Sequence, residues 1–168
     1  MQIIPFEIGH LEMIKPREFE GREMLLVGDW RRYAAAYAAA GQLFTGVVRG
    51  EIAGCAGLIP LWPGVAEAWM VSTALFTRYP KTIHRGIAAG LATLAETMGL
   101  HRIQAAVHQE HRVSLRWLRR LGFRLEGTLR RYGPDGADYL RLARLMKWPA
   151  ARKANDEVRA GEGQAARI

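Results

Sequence analysis

The residues best suited to chemistry are cationic and concentrated. Between Gln109 and Arg131 seven arginines (112, 116, 119, 120, 124, 130 and 131) stand against two glutamates, Glu110 and Glu126, so this segment carries +5 of the chain's net +8. Guanidinium groups at that density attract an acidic partner: nucleotide phosphates, nucleic acid or an acidic protein surface. Arg112, Arg116, Arg119 and Arg120 fall at i, i+4, i+7 and i+8, one face of a helix, and a plain solvated face is the competing reading. His111, at the expected start of that helix, could titrate near neutrality or serve as a cap. His108 makes a weaker case. The single cysteine, Cys55, excludes an internal disulfide and a cysteine metal cluster, and its place between Gly54 and Ala56 reads as core. Trp62, Trp69, Trp117 and Trp148 read as packing groups, with Trp69 able to wall a cleft.

These side chains need elements to position them. A short strand is expected over Gln2–Glu7, then a helix over His10–Glu20 interrupted by Pro16. A second helix runs from Asp29, a good N-cap, through an alanine-rich stretch to Gly41. Gln42–Val48 and Ile52–Leu61 form a hairpin joined at Arg49-Gly50-Glu51, and Val65–Thr73 follows a Pro60, Pro63, Gly64 turn. Ile83, Ile87, Leu91, Leu94 and Met98, spaced by 4, 4, 3 and 4, mark an amphipathic helix with Pro80 just before it and Gly99 as its stop. A strand at Arg102–Val107, a helix at Glu110–Leu121 ending in Gly122, and a strand pair at Phe123–Arg130 and Asp138–Lys147 complete the order β-α-α-β-β-β-α-β-α-β-β. Strand-helix-strand in the middle implies a parallel pair, with antiparallel hairpins on either side. The expected fold is mixed α/β (α+β): a twisted mixed sheet of six or seven strands with helices on both faces.

Length and composition fit one domain, 1–148, followed by a polar tail, 149–168, expected to be mobile or loosely helical. With 49% hydrophobic residues the chain can bury a core. It has no apolar run of about 18 residues and no basic-then-apolar leader, which fits a cytoplasmic protein without a membrane partner.

Ser114-Leu115-Arg116-Trp117-Leu118-Arg119-Arg120-Leu121-Gly122-Phe123-Arg124-Leu125-Glu126-Gly127-Thr128-Leu129-Arg130 resembles the C-terminal signature of the GCN5-related N-acetyltransferases (GNAT). It is most similar to the branch of the ribosomal-protein alanine acetyltransferases, S-x-x-x-x-x-x-x-G-F-x-x-E-G-x-x-R, and Asp138-Tyr139 before an apolar strand agrees. The Trp69–Thr73 strand and the segment from His111 to Leu118 further resemble divergent acetyltransferase-like proteins of bacteriophages and prophages. The element order matches the family over Ile3 to about Lys147. Parts of the motif also have structural readings: Gly122 as helix stop, Phe123 as core, Glu126–Arg130 as an ion pair.

The resemblance implies an acetyl-CoA-dependent acyltransferase, with direct transfer of acetyl to a primary amine on a protein N-terminus, a lysine or a small molecule. It implies no metal and is compatible with a homodimer. The pantetheine arm would lie along Met70, Val71 and Ser72, and the pyrophosphate at the turn Arg78–Arg85, where a helix N-terminus suits phosphate. The family's loop has two glycines, which here fall at Thr82 and His84. Arg78, Lys81, His84 and Arg85, with the Thr82 hydroxyl and the Ile83 backbone, would have to replace them. Glu67 matches the family's base, and Ser114 its serine near the sulfur. The tyrosine acid of many relatives is replaced by Leu118, with Trp117 beside it as a cofactor contact, and His111 stands where asparagine is common. Two alternatives remain: a catalytically degenerate GNAT-fold binding or virion-associated module, and nucleic-acid binding through the 112–120 arginine face.

Overall fold

The computed structural model describes residues 1–146; the expected tail at 149–168, Trp148 and the last residue of the final expected strand lie outside the described residues. The elements are β1 (Gln2–Pro5), α1 (Gly9–Glu12), α2 (Glu18–Val27), α3 (Trp30–Ala40), β2 (Gln42–Val48), β3 (Glu51–Trp62), β4 (Val65–Ser72), α4 (Leu75–Arg78), α5 (Pro80–Thr97), β5 (Arg102–His108), α6 (Arg112–Arg120), β6 (Arg124–Leu129) and β7 (Tyr139–Leu145). One seven-stranded sheet runs in the order β1-β2-β3-β4-β5-β7-β6. Every pair is antiparallel except β4–β5, joined in parallel by the α5 crossover. The mixed sheet expected from the sequence is therefore present, with helices on both faces.

Strand alternation sorts the core between those faces. Leu58, Ala66, Ile103, Ala105 and Leu142 point to the side of α5 and α6, where they meet Ala95, Leu115, Leu118, Leu121 and Phe123. Cys55 and Val71, of opposite parity, pack with Leu11 of α1 and Ala34 of α3. The β2–β3 connection is a two-residue turn in which Arg49 (φ 52°) and Gly50 (φ 81°) both adopt positive φ, the geometry that matches hairpin twist. Gly122, at φ 89°, ends α6 in the left-handed conformation and turns Phe123 into the core.

The helices differ from expectation in three places, each for a local reason. The expected 10–20 helix is a single turn at α1. Pro16 then breaks it, and α2 begins only at Glu18, with Glu18 and Glu20 favourably placed in its first turn. It runs on to Gly28, a stretch the pattern did not reveal because Met24-Leu25-Leu26-Val27 keeps no clean stripe and Leu25 stays exposed. Lastly, α5 starts at Pro80 itself, and an extra turn, α4, precedes it.

Candidate active site at the parted strands

β4 and β5 pair over only three positions, Val65↔Arg102, Ala66↔Ile103 and Glu67↔Gln104, and then separate. Glu67 marks the branch point. Its carboxylate accepts the Ala106 N–H (3.0 Å), which has lost its strand partner, together with Gln104 Nε2 (3.0 Å) and Arg141 Nη1 (2.8 Å to Oε1). The Ser72 carbonyl accepts the Arg17 N–H (3.0 Å), so the backbone of Ser72 faces away from β3. Alternation then turns the N–H and C=O of Met70 and Ala68 the same way, into the gap that β5 has left.

A cavity of about 380 Å³ occupies this gap and reaches both faces of the sheet. Ala68, Trp69 and Met70 line one side and Ala105 to His108 the other. Gly86, Ile87, Gly90 and Leu91 of α5 and Ser114, Trp117 and Leu118 of α6 close one face, while Glu20 and Glu23 of α2 stand at the other. The lining is mostly apolar with few polar groups, as in small-molecule sites generally.

Its polar groups cluster near the start of α6. His111 precedes the helix, and its Nε2 lies 3.4 Å from the Ser114 hydroxyl. Its ring stacks on Phe19 at 4.5 Å, and burial depresses its pKa, the charge of nearby Glu20 opposing that in part. On α2, Glu20 and Glu23 are spaced i, i+3 and so share a face. Glu20 Oε1 receives Arg17 (2.6 Å) and the Ser72 hydroxyl (2.7 Å). Glu23 Oε1 receives the Tyr139 hydroxyl (2.8 Å), and burial pushes its carboxyl up, against the pull of that hydrogen bond. Tyr139 is raised well above the ordinary tyrosine value, by burial first and by Glu23 second.

The residues named from sequence divide into four groups. Met70, Trp117, Ser114 and His111 line the cavity together. Val71 is buried in the α1–α3 core, and Ser72 is fully buried and spends its hydroxyl on Glu20. Glu67 sits at the base of the gap and is not among the cavity's walls. The 78–85 segment is helical apart from Tyr79: Arg78, Lys81 and Arg85 are exposed, and Ile83 is buried under the β2–β3 hairpin. Thr82 borders a second cavity with Met1, Val48, Arg49 and Tyr79, and His84 is half-buried. Pro80 has no N–H and the Ile83 N–H is taken by Tyr79, which leaves Lys81 and Thr82 to present the helix's free donors.

Glu126 pairs with Arg102 (Nη1 to Oε1, 2.8 Å) rather than with Arg130. Arg112, Arg116, Arg119 and Arg120 are all exposed on α6, away from the cavity. Sequence reasoning passed over Glu20, Glu23 and Phe19 entirely. The available signal was a Glu-x-x-Glu spacing directly after the Pro16 break. Among the described residues no three His, Cys, Asp or Glu side chains come together to hold a metal, and no described helix is long and apolar enough to cross a membrane.

No protein-family model matches this chain, and no curated protein sequence matches it significantly. Solved structures do. A GNAT family acetyltransferase from Elizabethkingia anophelis with acetyl-CoA bound superposes with a TM-score of 0.64 and 17% identity, over 86% of this chain and 97% of its own. A spermidine N-acetyltransferase variant from Vibrio cholerae gives 0.62 and 16%, over 86% and 95%. A ribosomal-protein-alanine N-acetyltransferase from Brucella melitensis gives 0.58 and 18%, over 87% and 100%. The fold is that of the GCN5-related N-acetyltransferases, and at these identities the likeness establishes the fold alone.

Proposed function

We propose that this protein transfers an acyl group, acetyl in the first instance, from a coenzyme A thioester to a primary amine inside the cavity between β4 and β5. The single observation that carries the reading is the separation after Glu67, which leaves the Met70 and Ala68 backbone facing an apolar slot lined from both faces of the sheet. An extended pantetheine amide can pair with such an edge as a strand would. Its phosphates would meet Lys81 and Thr82 at the start of α5, with Arg78 and Arg85 as exposed cations in place of a glycine loop.

Direct transfer forms a C–N bond as the C–S bond breaks, moves one proton off the amine and stabilises the departing thiolate. Ser114, at the α6 wall with His111 behind it, is placed to donate its hydroxyl hydrogen to that sulfur. Glu23, whose raised pKa brings a carboxylate closer to neutrality, is the better-placed proton acceptor. Glu67, which the resemblance offers as the base, is assigned instead to holding the strands apart, since both its oxygens are already engaged.

Thiol release from acetyl-CoA, followed over a panel of primary amines, tests the reading. Turnover with at least one amine, reduced 100-fold or more in Glu23→Gln with little change in the KM for acetyl-CoA, is expected for a general base. A protein that turns over none of them is a binding module with this fold.

A further inference from the structure

The outer face of α6 carries Arg112, Arg116, Arg119 and Arg120, all exposed, and none has a carboxylate partner among the described residues. Arg17, Arg22, Arg31, Arg102 and Arg141 each hold one. Arg144 of β7 lies along the C-terminal end of the same helix, its Cδ and Nε 3.7 Å from where a Cβ on Gly122 would stand, and so extends the row. The two nearby acids do not neutralise it: Glu126 is taken by Arg102, and Glu110 stands ahead of the helix cap.

The free helix gains nothing from this arrangement. Arg112 with Arg116 and Arg116 with Arg120 are like-charge pairs at i, i+4, which destabilise a helix. Arg112 sits in the first turn, the positive end of the dipole, and no acidic residue accompanies it there. Only Arg119 and Arg120, in the last turn, stand at the end that favours cations. Leu115 and Leu118 already seat α6 in the core, so the charge is not needed to place it. Such a row is relieved by a partner that brings several negative charges at once.

The surroundings narrow the partner. A protein interface has an apolar or aromatic centre, and Val113 is the exposed large apolar side chain on α6. Single-stranded nucleic acid stacks on aromatic platforms, but Trp117 faces the cavity and Tyr132 turns its ring onto Tyr139. A regular array of phosphates needs neither. Arg112 to Arg120 spans about 12 Å of helix axis, the reach of three or four successive phosphates at about 3.4 Å each along one strand of a duplex. Guanidinium forks suit those phosphates. We infer that the outer face of α6 docks on the phosphate backbone of a nucleic-acid duplex, by charge and shape and without base contacts. None of these arginines lines the cavity, so the surface is independent of the transferase reading.

Fluorescence anisotropy of the full chain with labelled, mixed-sequence DNA and RNA duplexes of about 20 base pairs tests this, and the tighter of the two names the source. With four phosphates neutralised, log Kd against log salt should have a slope of about 3.6, or roughly 100-fold weaker binding between about 50 and 200 mM salt. Arg119→Ala with Arg120→Ala should halve that slope and weaken binding at least tenfold at the lower salt. Removing two exposed cations of the α1 and α3 layer, Lys15→Ala with Arg32→Ala, should change affinity less than threefold. Arg116→Glu should abolish binding yet melt about 2 °C above wild type, because both like-charge pairs become opposite ones. Equal weakening by the two double variants would reduce the effect to net charge and overturn the inference. No duplex binding at the lower salt overturns it too, and so does polyglutamate competing as well as unlabelled duplex, which points to an acidic protein. Displacement by coenzyme A would give these arginines to the cofactor's phosphates instead, and an Arg116→Glu chain that melts lower would assign the row to the fold.

Discussion

Glu23, the proposed base, faces opposite demands from folding and from chemistry. Its carboxyl is raised chiefly by burial, so the folded chain holds the proton more tightly than the unfolded one. Such a group costs nothing below the unfolded value, about 4.3, and subtracts stability as pH rises through its folded value. Glu23→Gln should therefore melt higher than wild type at pH 8, the gap closing towards pH 4, while turnover is lost. A gap of constant size across that range would show that ionisation of Glu23 is not what the fold opposes. Ser114 makes a kinetic counterpart. In the proposed transfer Ser114→Ala removes a donor used only as the thiolate departs, so kcat should fall by about 10- to 100-fold with the KM for acetyl-CoA little changed. An unaltered kcat removes Ser114 from the chemistry.

At the scale of elements, Glu67 is the group proposed to hold the gap between β4 and β5 open. A parallel pair continuing past Gln104 would satisfy Ala106 N–H with backbone; here a side chain does it, and Arg141 on β7 neutralises that side chain. Both partners are only about a fifth exposed, so removing one leaves a poorly solvated charge. Arg141→Ala should cost about 2 kcal/mol in urea unfolding, the middle of the range for an orphaned buried group. Arg141→Ala with Glu67→Gln should recover part of that loss, because the stranded charge is gone. A single-variant cost under about 0.5 kcal/mol, the size of an ordinary surface change, would remove the pair from its proposed role. Alternation and the Gly50 and Gly122 stops made most of the strands and α6 readable from sequence. α2 and α4 were not readable, since one lacks a stripe and the other is a single turn fixed by packing of Leu75 against Val48, Ala53 and Ile83.

Across the whole molecule, the legible part of the site was its α6 side, where Ser114, Trp117 and His111 share a motif whose spacing survives folding intact. The α2 side joins residues far apart in sequence: Tyr139 meets Glu23 and Ser72 meets Glu20, contacts no local pattern encodes. The start of α5, the proposed phosphate end, is where this chain departs most from the glycine loop of the family it resembles. Helix α5 begins at once at Pro80, Ile83 is buried, and cations stand outside in place of the glycines. In the proposed reading, phosphate binding there leans on side-chain charge more than on backbone cradling. Acetyl-CoA at a hundredfold excess over its Kd should stabilise the chain by about 2.7 kcal/mol, or roughly 5–10 °C in Tm. Replacing Arg78 and Lys81 together by alanine should weaken binding on the order of tenfold, which at the same ligand concentration halves the shift. Because both side chains are exposed, the unliganded Tm of that variant should stay within about a degree of wild type. A full-sized shift in the double variant would place the phosphates elsewhere, and raising the salt should shrink the wild-type shift more than the variant's, since exposed charge pairs are the ones that salt screens.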